Sequence, residues 1–332
     1  MDVAGGVDDL RALGLTALGS KVALDIAGQV VGRLLDMAGR PFGLYPFGNP
    51  VSAETWHVGV VADTAYALAH KTDGVRAALC LGTVRGMRVA VAMDREGTLF
   101  DLPGTQAPSY VWDGTLVDCE LLGAPGAVQC VGFDAALLAG LRCASESLTE
   151  RLQSMRMLLE QVTMPGVALQ VKRMVPLVPG ARDRLGPSPW PSDGFILTPE
   201  HHAPPGPGTA EHIIKVKEVH SLDVLWTDGG PSSLWFGDGA GTVALSTLRP
   251  EVQVLDMPPA TAVAAGPIIV ELAVVSVQKH KLELRYLRTR PGKSVPNNAR
   301  CVRRTLLSAQ DPVSLRTLEM SSAPASAAVV LP

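Results

Sequence analysis

The chain has 332 residues, of which 47% are hydrophobic and 18% charged, and its formal net charge is -3. This length predicts two domains, and the apolar content is sufficient for real hydrophobic cores. The weak negative charge argues against the basic face of a protein that wraps long nucleic acid, so any nucleic-acid contact should be local.

The cysteines and the apolar segments narrow the class of protein further. The five cysteines form no C-x-x-C pair, which argues against a disulfide framework or a zinc site and favours a reducing compartment. The acidic start lacks the basic and apolar regions of a signal peptide. The most apolar window, Ala260 to Val277, contains Pro267 and Glu271. It predicts buried strands, and no membrane partner is expected.

The first half of the chain predicts two helices around a run of strands. Apolar residues recur at helical spacing from Ser20 to Gly39, and Pro41 supports a helix end there. Short apolar runs broken by Gly, Asp and Pro predict strands from Val58 to Asp134. A second helix is predicted from Ser145 to Val162, where Ser147 to Glu150 fits a capping box.

The second half begins with loops. Pro176 to Trp190 and His201 to Gly208 are rich in turn-forming residues and predict surface loops. His201 and His202 should be solvated. Phe195 to Leu197, between the two loops, predicts a core strand.

The last third is predicted to be mostly strands. Trp226 to Glu283 reads as short strands with turns at Gly229-Gly230 and at Gly237 to Gly239, and Asn298 to Ser308 as a helix. Together the elements predict an α+β protein with antiparallel sheets over residues 1–222. A compact β domain with a C-terminal helix, of a size that suits a small barrel, follows over 223–318. A flexible tail over 319–332 and a hinge after Lys217 complete the prediction.

Lys71 is the strongest chemical candidate. It ends an apolar, strand-like approach and is followed by a turn and by the apolar run Ala77 to Leu81. Unlike arginine, lysine can lose its proton and attack as a neutral amine. Because its ordinary pKa is about 10.4, burial or neighbouring cations would have to lower the pKa.

Five segments occur in a fixed order and carry a family resemblance. They are Lys71 to Arg76 (KTDGVR), Gly114 to Leu122 (GTLVDCELL), Phe133 to Leu138 (FDAALL), Ser192 to Pro199 (SDGFILTP) and Ile213 to Lys217 (IIKVK). In this order the segments resemble the motifs of the covalent nucleotidyltransferases, which comprise mRNA capping guanylyltransferases and polynucleotide ligases.

A sixth segment favours the capping enzymes within that superfamily. Arg288 to Asn297 (RTRPGKSVPN) resembles their closing motif R-x-R-x-D-K-x-x-P-N, and Phe47 to Ser52 resembles a segment that precedes their first motif. The resemblance spans about residues 41 to 318. Two departures stand out: Cys119 replaces a glycine, and Gly292 replaces an aspartate that assists the first step in relatives.

The resemblance implies a ligase-like nucleotidyltransferase domain joined to a C-terminal OB-fold barrel, and it implies roles for single residues. Lys71 would attack the α-phosphorus of GTP, with Lys215 and Lys217 as catalytic cations. Glu120 and Asp193 would hold Mg²⁺ or Mn²⁺. The nucleotide-binding residues would be Thr72, Arg76, Arg95, Glu120, Phe133, Asp193, Arg288, Arg290 and Lys293. The last three would reach the β- and γ-phosphates only when the two domains close.

The implied activity is that of an mRNA guanylyltransferase, which passes GMP from GTP through a lysyl-N-GMP intermediate to the 5′-diphosphate end of RNA. Its partners would be an RNA triphosphatase, a methyltransferase and a polymerase. Its location would be the nucleus if the gene is cellular, or a viral factory, virion or cytoplasm if it is viral. The rivals are an ATP-dependent polynucleotide ligase and a non-catalytic nucleotide- or RNA-binding module.

Plainer interpretations of some residues stay open at this point. Phe133 fits an ordinary core aromatic, and Lys215 and Lys217 fit the protection of a sheet edge. Arg95, Arg288 and Arg290 fit generic surface charge.

Overall fold

The computed structural model describes residues 10–217, 219–227, 233–238, 241–256, 266–291 and 293–322. The described residues form two compact units. The larger unit comprises 10–51, 59–215 and 318–322, and the smaller comprises 52–58 with the described part of 216–317. Gly229, Gly230, Gly239, Gly292, residues 260–265 of the apolar window and residues 323–332 of the predicted tail lie outside the described residues. The predicted domain boundaries stay predictions.

The described elements are mostly strands. The helices are α1 (Lys21–Ala38), α2 (His57–Asp63), α3 (Leu148–Leu159), α4 (Ala181–Leu185), α5 (Ala299–Gln310) and α6 (Leu315–Ser321). The strands are β1 (Asn49–Ser52), β2 (Tyr66–Thr72), β3 (Val75–Val84), β4 (Met87–Met93), β5 (Leu99–Asp101), β6 (Thr115–Ala124), β7 (Ala127–Leu138), β8 (Leu141–Arg142), β9 (Val167–Val171), β10 (Val175–Pro176), β11 (Ser192–Pro199), β12 (Thr209–Val216), β13 (Ser221–Trp226), β14 (Leu234–Asp238), β15 (Gly241–Ala244), β16 (Glu251–Leu255), β17 (Ile268–Val277) and β18 (Lys281–Thr289).

The larger unit contains two sheets. One has the order β5-β4-β3-β6-β7-β8, with β9 also pairing with β7, and the other has the order β1-β12-β11-β2-β10. Antiparallel pairs dominate, as predicted, although β9 runs parallel to β7. Because β2 and β3 are joined by a two-residue turn yet belong to different sheets, the segment around Lys71 links the two sheets.

The helices α1 and α3 pack against the first sheet. Ser20 accepts a hydrogen bond from the Ala23 amide at the start of α1, and Gly39 ends the helix with φ 66°, as the sequence predicts. Both hydrogen bonds of the predicted capping box are present at the start of α3. The helix is shorter than predicted, since it ends at Leu159. The apolar faces of these helices belong to two separate core clusters, so the sheet is buried on both sides.

One predicted loop is wrong in part. Residues 176–190 contain the short helix α4, whose Ala181 and Leu185 are buried. Apolar residues four apart anchor one helical turn, and this signal was outweighed by the neighbouring prolines and glycines. The core strand at Phe195 to Leu197 is confirmed within β11.

The smaller unit is built around one six-stranded sheet with the order β15-β14-β13-β17-β18-β16. Its core includes Trp226, Phe236, Leu272 and Leu284, and α5 adds Val302 to it. Asn298 caps α5 by accepting from the Cys301 amide, so the predicted C-terminal helix is confirmed. The sheet is consistent with the predicted OB-fold, although the pairings among described residues do not close it into a barrel. The α+β class is confirmed.

No described helix combines the length and the apolar character needed to cross a membrane.

Candidate active site

Lys71 lies near the end of β2, where the chain leaves one sheet for the other. The turn to β3 needs glycine at position 74, because a Cβ there would lie 2.7 Å from the carbonyl oxygen of Leu121 and 2.8 Å from Cγ of Glu120. The glycine of the K-x-D-G motif therefore permits the close approach of this turn to β6.

A β-bulge aims Asp193 at Lys71. The register between β11 and β2 shifts between Ser192 and Phe195, and Gly194 has φ 143°, a conformation that favours glycine. The Lys71 ammonium donates a hydrogen bond of 2.7 Å to Asp193 Oδ1. The two side chains are 26% and 38% exposed, so a ligand can reach the amine.

Thr72 and Glu120 form a second contact beside Lys71. The Thr72 hydroxyl donates to Glu120 Oε2. Lys172, which sequence reasoning did not single out, donates to Thr72 Oγ1 at 2.9 Å and to Glu120 Oε2 at 3.2 Å. Burial lowers the pKa of Lys172, Glu120 opposes this shift, and the positive charge of Lys71 adds to it.

Arg76 is held by a buried carboxylate. Its Nε and Nη2 donate to the two oxygens of Asp118 at 2.9 and 2.6 Å, and Nη2 also donates to the Gly48 carbonyl. Asp118 is 1% exposed. Burial disfavours the charged guanidinium, but the charge and hydrogen bonds of Asp118 outweigh burial and raise the pKa of Arg76. Arg76 is therefore a fixed cation.

Phe133 occupies a bulge in β7. The register between β6 and β7 pairs Cys119 with Gly132 and Asp118 with Asp134, which leaves Phe133 as the extra residue. The ring is partly buried, and the cationic groups of Arg76 and Lys172 lie 5.6 and 5.2 Å from its centroid. The ring thus packs against the core and lies near two cations, and its role in nucleotide binding stays a prediction.

Three predicted cations remain, Arg95 and Lys215 in the larger unit and Lys217 in the smaller unit. Arg95 is exposed in the turn after β4. Within the described part of the chain, no hydrogen bond or ion pair joins Arg95 to the Lys71 region. Lys215 lies in β12, which pairs with β11, and Lys217 follows the end of β12.

The smaller unit holds the other three predicted cations in one network. Glu271 Oε2 accepts from Arg288 Nε at 2.8 Å and from Arg290 Nη1 at 3.1 Å, because Glu271 faces Arg288 across β17 and β18. Lys293 Nζ donates to Asp223 Oδ2 at 2.5 Å. Burial opposes the charge of Glu271, but hydrogen bonds from Ser221 and Arg288 outweigh burial and lower its pKa to about 2.

Asn297, the last residue of the closing motif, has a structural role. Its side-chain oxygen accepts from the Asp223 amide at 2.9 Å, and its own amide donates to the Asp223 carbonyl at 2.8 Å. The motif therefore fixes the strand that carries Asp223 beside Lys293.

Sequence reasoning missed four residues of these clusters: Asp118, Lys172, Asp223 and Glu271. Asp118 lies inside the second segment and Asp223 follows the fifth by six residues, so their charge was a usable signal. Lys172 directly follows an apolar strand, and Glu271 interrupts the most apolar window. A charge that interrupts an apolar run often has a buried partner.

The carboxylates fit a metal ion that arrives with a nucleotide. The described residues contain no group of three or more His, Cys, Asp or Glu side chains able to hold a metal. Mg²⁺ commonly uses one or two carboxylates together with substrate phosphates. Asp193, beside Lys71, and Glu120, beside Thr72, provide such single carboxylates.

Comparison with solved structures finds DNA ligases. A mycobacterial DNA ligase D complexed with ATP and MES is 16% identical, with 76% of this chain and 97% of that chain covered and a TM-score of 0.43. The ligase domain of M. tuberculosis LigD is also 16% identical, with 76% and 97% covered and a TM-score of 0.37. A Lig E DNA ligase is 21% identical, with 73% and 99% covered and a TM-score of 0.36.

A family model matches the part of the chain that contains most of the Lys71 region. Residues 15–174 match the model described as mRNA capping enzyme, catalytic domain. The matched range includes Lys71, Arg76, Glu120, Phe133 and Lys172. The resemblance to mRNA capping enzymes that the motifs predict is therefore confirmed over residues 15–174.

Proposed function

We propose that this chain is an mRNA guanylyltransferase with Lys71 as its nucleophile. The observation that carries the proposal is the placement of Lys71 within 2.7 Å of Asp193, close to Thr72, Glu120 and Lys172. A lysine oriented by a carboxylate, partly exposed and next to other cations, suits attack on a phosphate.

The reaction takes place in two steps. Lys71 first loses a proton to water, which its partly exposed side chain can reach. Its neutral nitrogen then forms a bond to the α-phosphorus of GTP, and the bond to the bridging oxygen breaks so that pyrophosphate leaves. In the second step a terminal oxygen of the RNA 5′-diphosphate attacks the same phosphorus and the P–N bond breaks. Lys71 then regains its proton. Asp193 orients the amine, and Lys215 and Lys217 are proposed to offset the charge that develops on phosphate.

The preference for guanine is proposed to come from Lys172. A purine stacked on Phe133 would place its six-position substituent near the Lys172 ammonium, which lies 5.2 Å from the ring centroid. Lysine carries only donors. Guanine has an acceptor oxygen at that position and adenine has an amino group, so the ammonium favours guanine.

The other predicted contacts complete the proposal. Thr72, Arg76 and Arg95 would bind the ribose and α-phosphate, and Arg288, Arg290 and Lys293 the β- and γ-phosphates. Mg²⁺ or Mn²⁺, held by Glu120 and Asp193 with the nucleotide, would neutralise phosphate charge. An RNA triphosphatase must supply the 5′-diphosphate end, and a methyltransferase would act on the product beside a polymerase. The chain would work in the nucleus if cellular, or in a viral factory, virion or the cytoplasm if viral.

The proposed activity is tested by measuring the covalent adduct between the protein and the nucleotide. The protein is incubated with Mg²⁺ and either GTP or ATP labelled at the α-phosphate, and labelled protein is measured after a denaturing gel. We expect label from GTP, its release by pyrophosphate, and its transfer to RNA that ends in a 5′-diphosphate. An adduct from ATP alone, followed by sealing of nicked strands, would show a ligase instead, and no adduct from either would show a binding module.

Lys172→Met tests the base preference separately. This variant keeps an unbranched side chain, one atom shorter, and removes its charge and donors. The ratio of GTP to ATP labelling should fall by about 10-fold or more, as expected when a buried donor to the base is lost. An unchanged ratio would remove Lys172 from base recognition and leave the role of Lys71 standing.

A further inference from the structure

The exposed face of α5 in the smaller unit carries a stripe of arginines. Arg300, Arg303, Arg304 and Leu307 are three or four residues apart, so they share one side of the helix. The opposite side buries Val302 and Leu306 in the core of the unit. Arg300, Arg303 and Leu307 are exposed, and Arg304 is half-buried.

An exposed tryptophan lies next to this stripe, in the same unit. Glu54 joins the two features: its Oε1 accepts from Arg304 Nη2 at 3.1 Å and its Oε2 from the Trp56 indole nitrogen at 3.0 Å. Trp56 is 51% exposed. One side of its ring is stacked on the buried His57, with centroids 3.7 Å apart. The support from His57 fixes the plane of the indole while much of its surface stays open.

The charge of the stripe is only partly neutralised. Glu54 pairs with Arg304, and Asp311, at the end of α5, accepts a hydrogen bond from Thr55. Among the described residues, no carboxylate lies within salt-bridge distance of Arg300 or Arg303. Two unneutralised guanidinium groups thus remain beside an exposed aromatic ring.

We propose that Arg300, Arg303, Arg304 and Trp56 form a surface that binds the body of a single-stranded RNA. We call it the α5 surface. Arginines neutralise phosphates, and an aromatic ring held in one orientation stacks on a base of any sequence. A face that is only solvated would not require a tryptophan held in place by a buried histidine and a bridging carboxylate. That the occupant is RNA rests on the proposed function.

The α5 surface also agrees with the weak overall charge of the chain. Single strands contribute about 0.7 to the salt slope for each phosphate neutralised. Two or three arginines therefore give a slope of about -1.4 to -2.1, far from that of a protein that coats long nucleic acid. The surface is proposed to hold the body of the RNA and to take no part in the chemistry at Lys71.

The experiment compares two double variants of equal charge change. Binding of an unstructured 20-nucleotide RNA is followed by fluorescence anisotropy over a salt series. The test variant is Arg300→Gln with Arg303→Gln. The control is Lys279→Gln with Arg316→Gln, two exposed cations on other elements of the same unit. We expect the test variant to lose about 1.4 in salt slope and the control to match the wild type.

Variants of Trp56 provide a second test of the α5 surface that does not depend on charge. Trp56→Ala should weaken RNA binding by about tenfold through lost stacking, and Trp56→Phe should restore most of the binding. Equal effects of the test and control pairs, or no effect of either Trp56 variant, would overturn the proposal. Tighter binding of the same sequence as DNA would overturn the assignment to RNA.

Cys301 allows the location to be tested directly. It is the one exposed cysteine, since Cys80, Cys119, Cys130 and Cys143 are buried. A photocrosslinker attached to Cys301 should capture RNA, whereas the same reagent on a Cys301→Ser, Lys279→Cys variant should not. The reverse pattern would place RNA elsewhere. Labelling of Lys71 by GTP is measured in parallel, so a failure of the α5 surface is distinguished from a failure of the proposed enzyme activity.

Discussion

The Lys71 region of the larger unit and the cation cluster of the smaller unit pair their charges in different ways. In the larger unit, Asp118 is almost fully buried and holds Arg76 through two hydrogen bonds. In the smaller unit, the carboxylates of Glu271 and Asp223 are 13% and 14% exposed, and their partners Arg288 and Lys293 are 30% and 27% exposed. A buried pair fixes one geometry, because separating it leaves an uncompensated charge. A partly exposed pair can exchange its carboxylate for the phosphate of a ligand at lower cost.

The Lys71–Asp193 pair is more exposed than the Arg76–Asp118 pair, and variants of Lys71 should show the largest effect on activity. Lys71→Ala should reduce adduct formation by more than about 10³-fold, since the attacking nitrogen is gone. Lys71→Arg should be as inactive, because arginine keeps its proton. Both variants should melt near the wild-type temperature, as the Asp193 pair is partly exposed. Collapse of the fold would show that Lys71 is structural.

Breaking the buried Arg76–Asp118 pair should lower the free energy of unfolding, unlike the Lys71 substitutions. Asp118→Ala leaves Arg76 charged and without its carboxylate, so we expect the free energy of unfolding to fall by about 3–5 kcal/mol. Urea denaturation measures this loss. An effect below about 1 kcal/mol would remove the distinction between the two regions.

The stability that the Glu271 carboxylate contributes to the smaller unit should depend on pH. Its folded pKa is about 2, below the ordinary value of about 4.3. The carboxylate therefore contributes stability that is fully present above about pH 5 and is lost as pH falls through about 2. Glu271→Gln should cost at most about 3 kcal/mol at pH 7, and the cost should shrink towards zero near pH 2. A cost that does not vary with pH would assign Glu271 a packing role.

Asp193→Asn should have the smallest effect on stability. It keeps the shape of the side chain and removes one partly exposed ion pair, so the free energy of unfolding should change by about 0–1 kcal/mol. Adduct formation should still decline, because Lys71 loses the group that orients it. Unchanged labelling would remove Asp193 from the proposed site.

The sequence by itself determined most of the elements and the order of the motifs, although the strands predicted from Val58 onward begin only after the helix α2 (His57–Asp63). Ser20 and Gly39 marked the ends of α1 because capping and a left-handed terminus are local properties. Lys71 was evident because KTDGVR is the first of several segments that occur in a fixed order. The short helix α4 escaped notice, since prolines and glycines around it carried the stronger local signal.

Only the tertiary structure decided which charges meet. Lys172 reaches Phe133 because β9 runs parallel to β7, a pairing between residues about 40 positions apart that periodicity does not encode. The bulge in β11 turns Asp193 towards Lys71, and the register of β17 with β18 places Glu271 opposite Arg288. Strand register is set by long-range packing and hydrogen bonding rather than by local propensity, and a shift of one residue would turn each of these side chains to the other face.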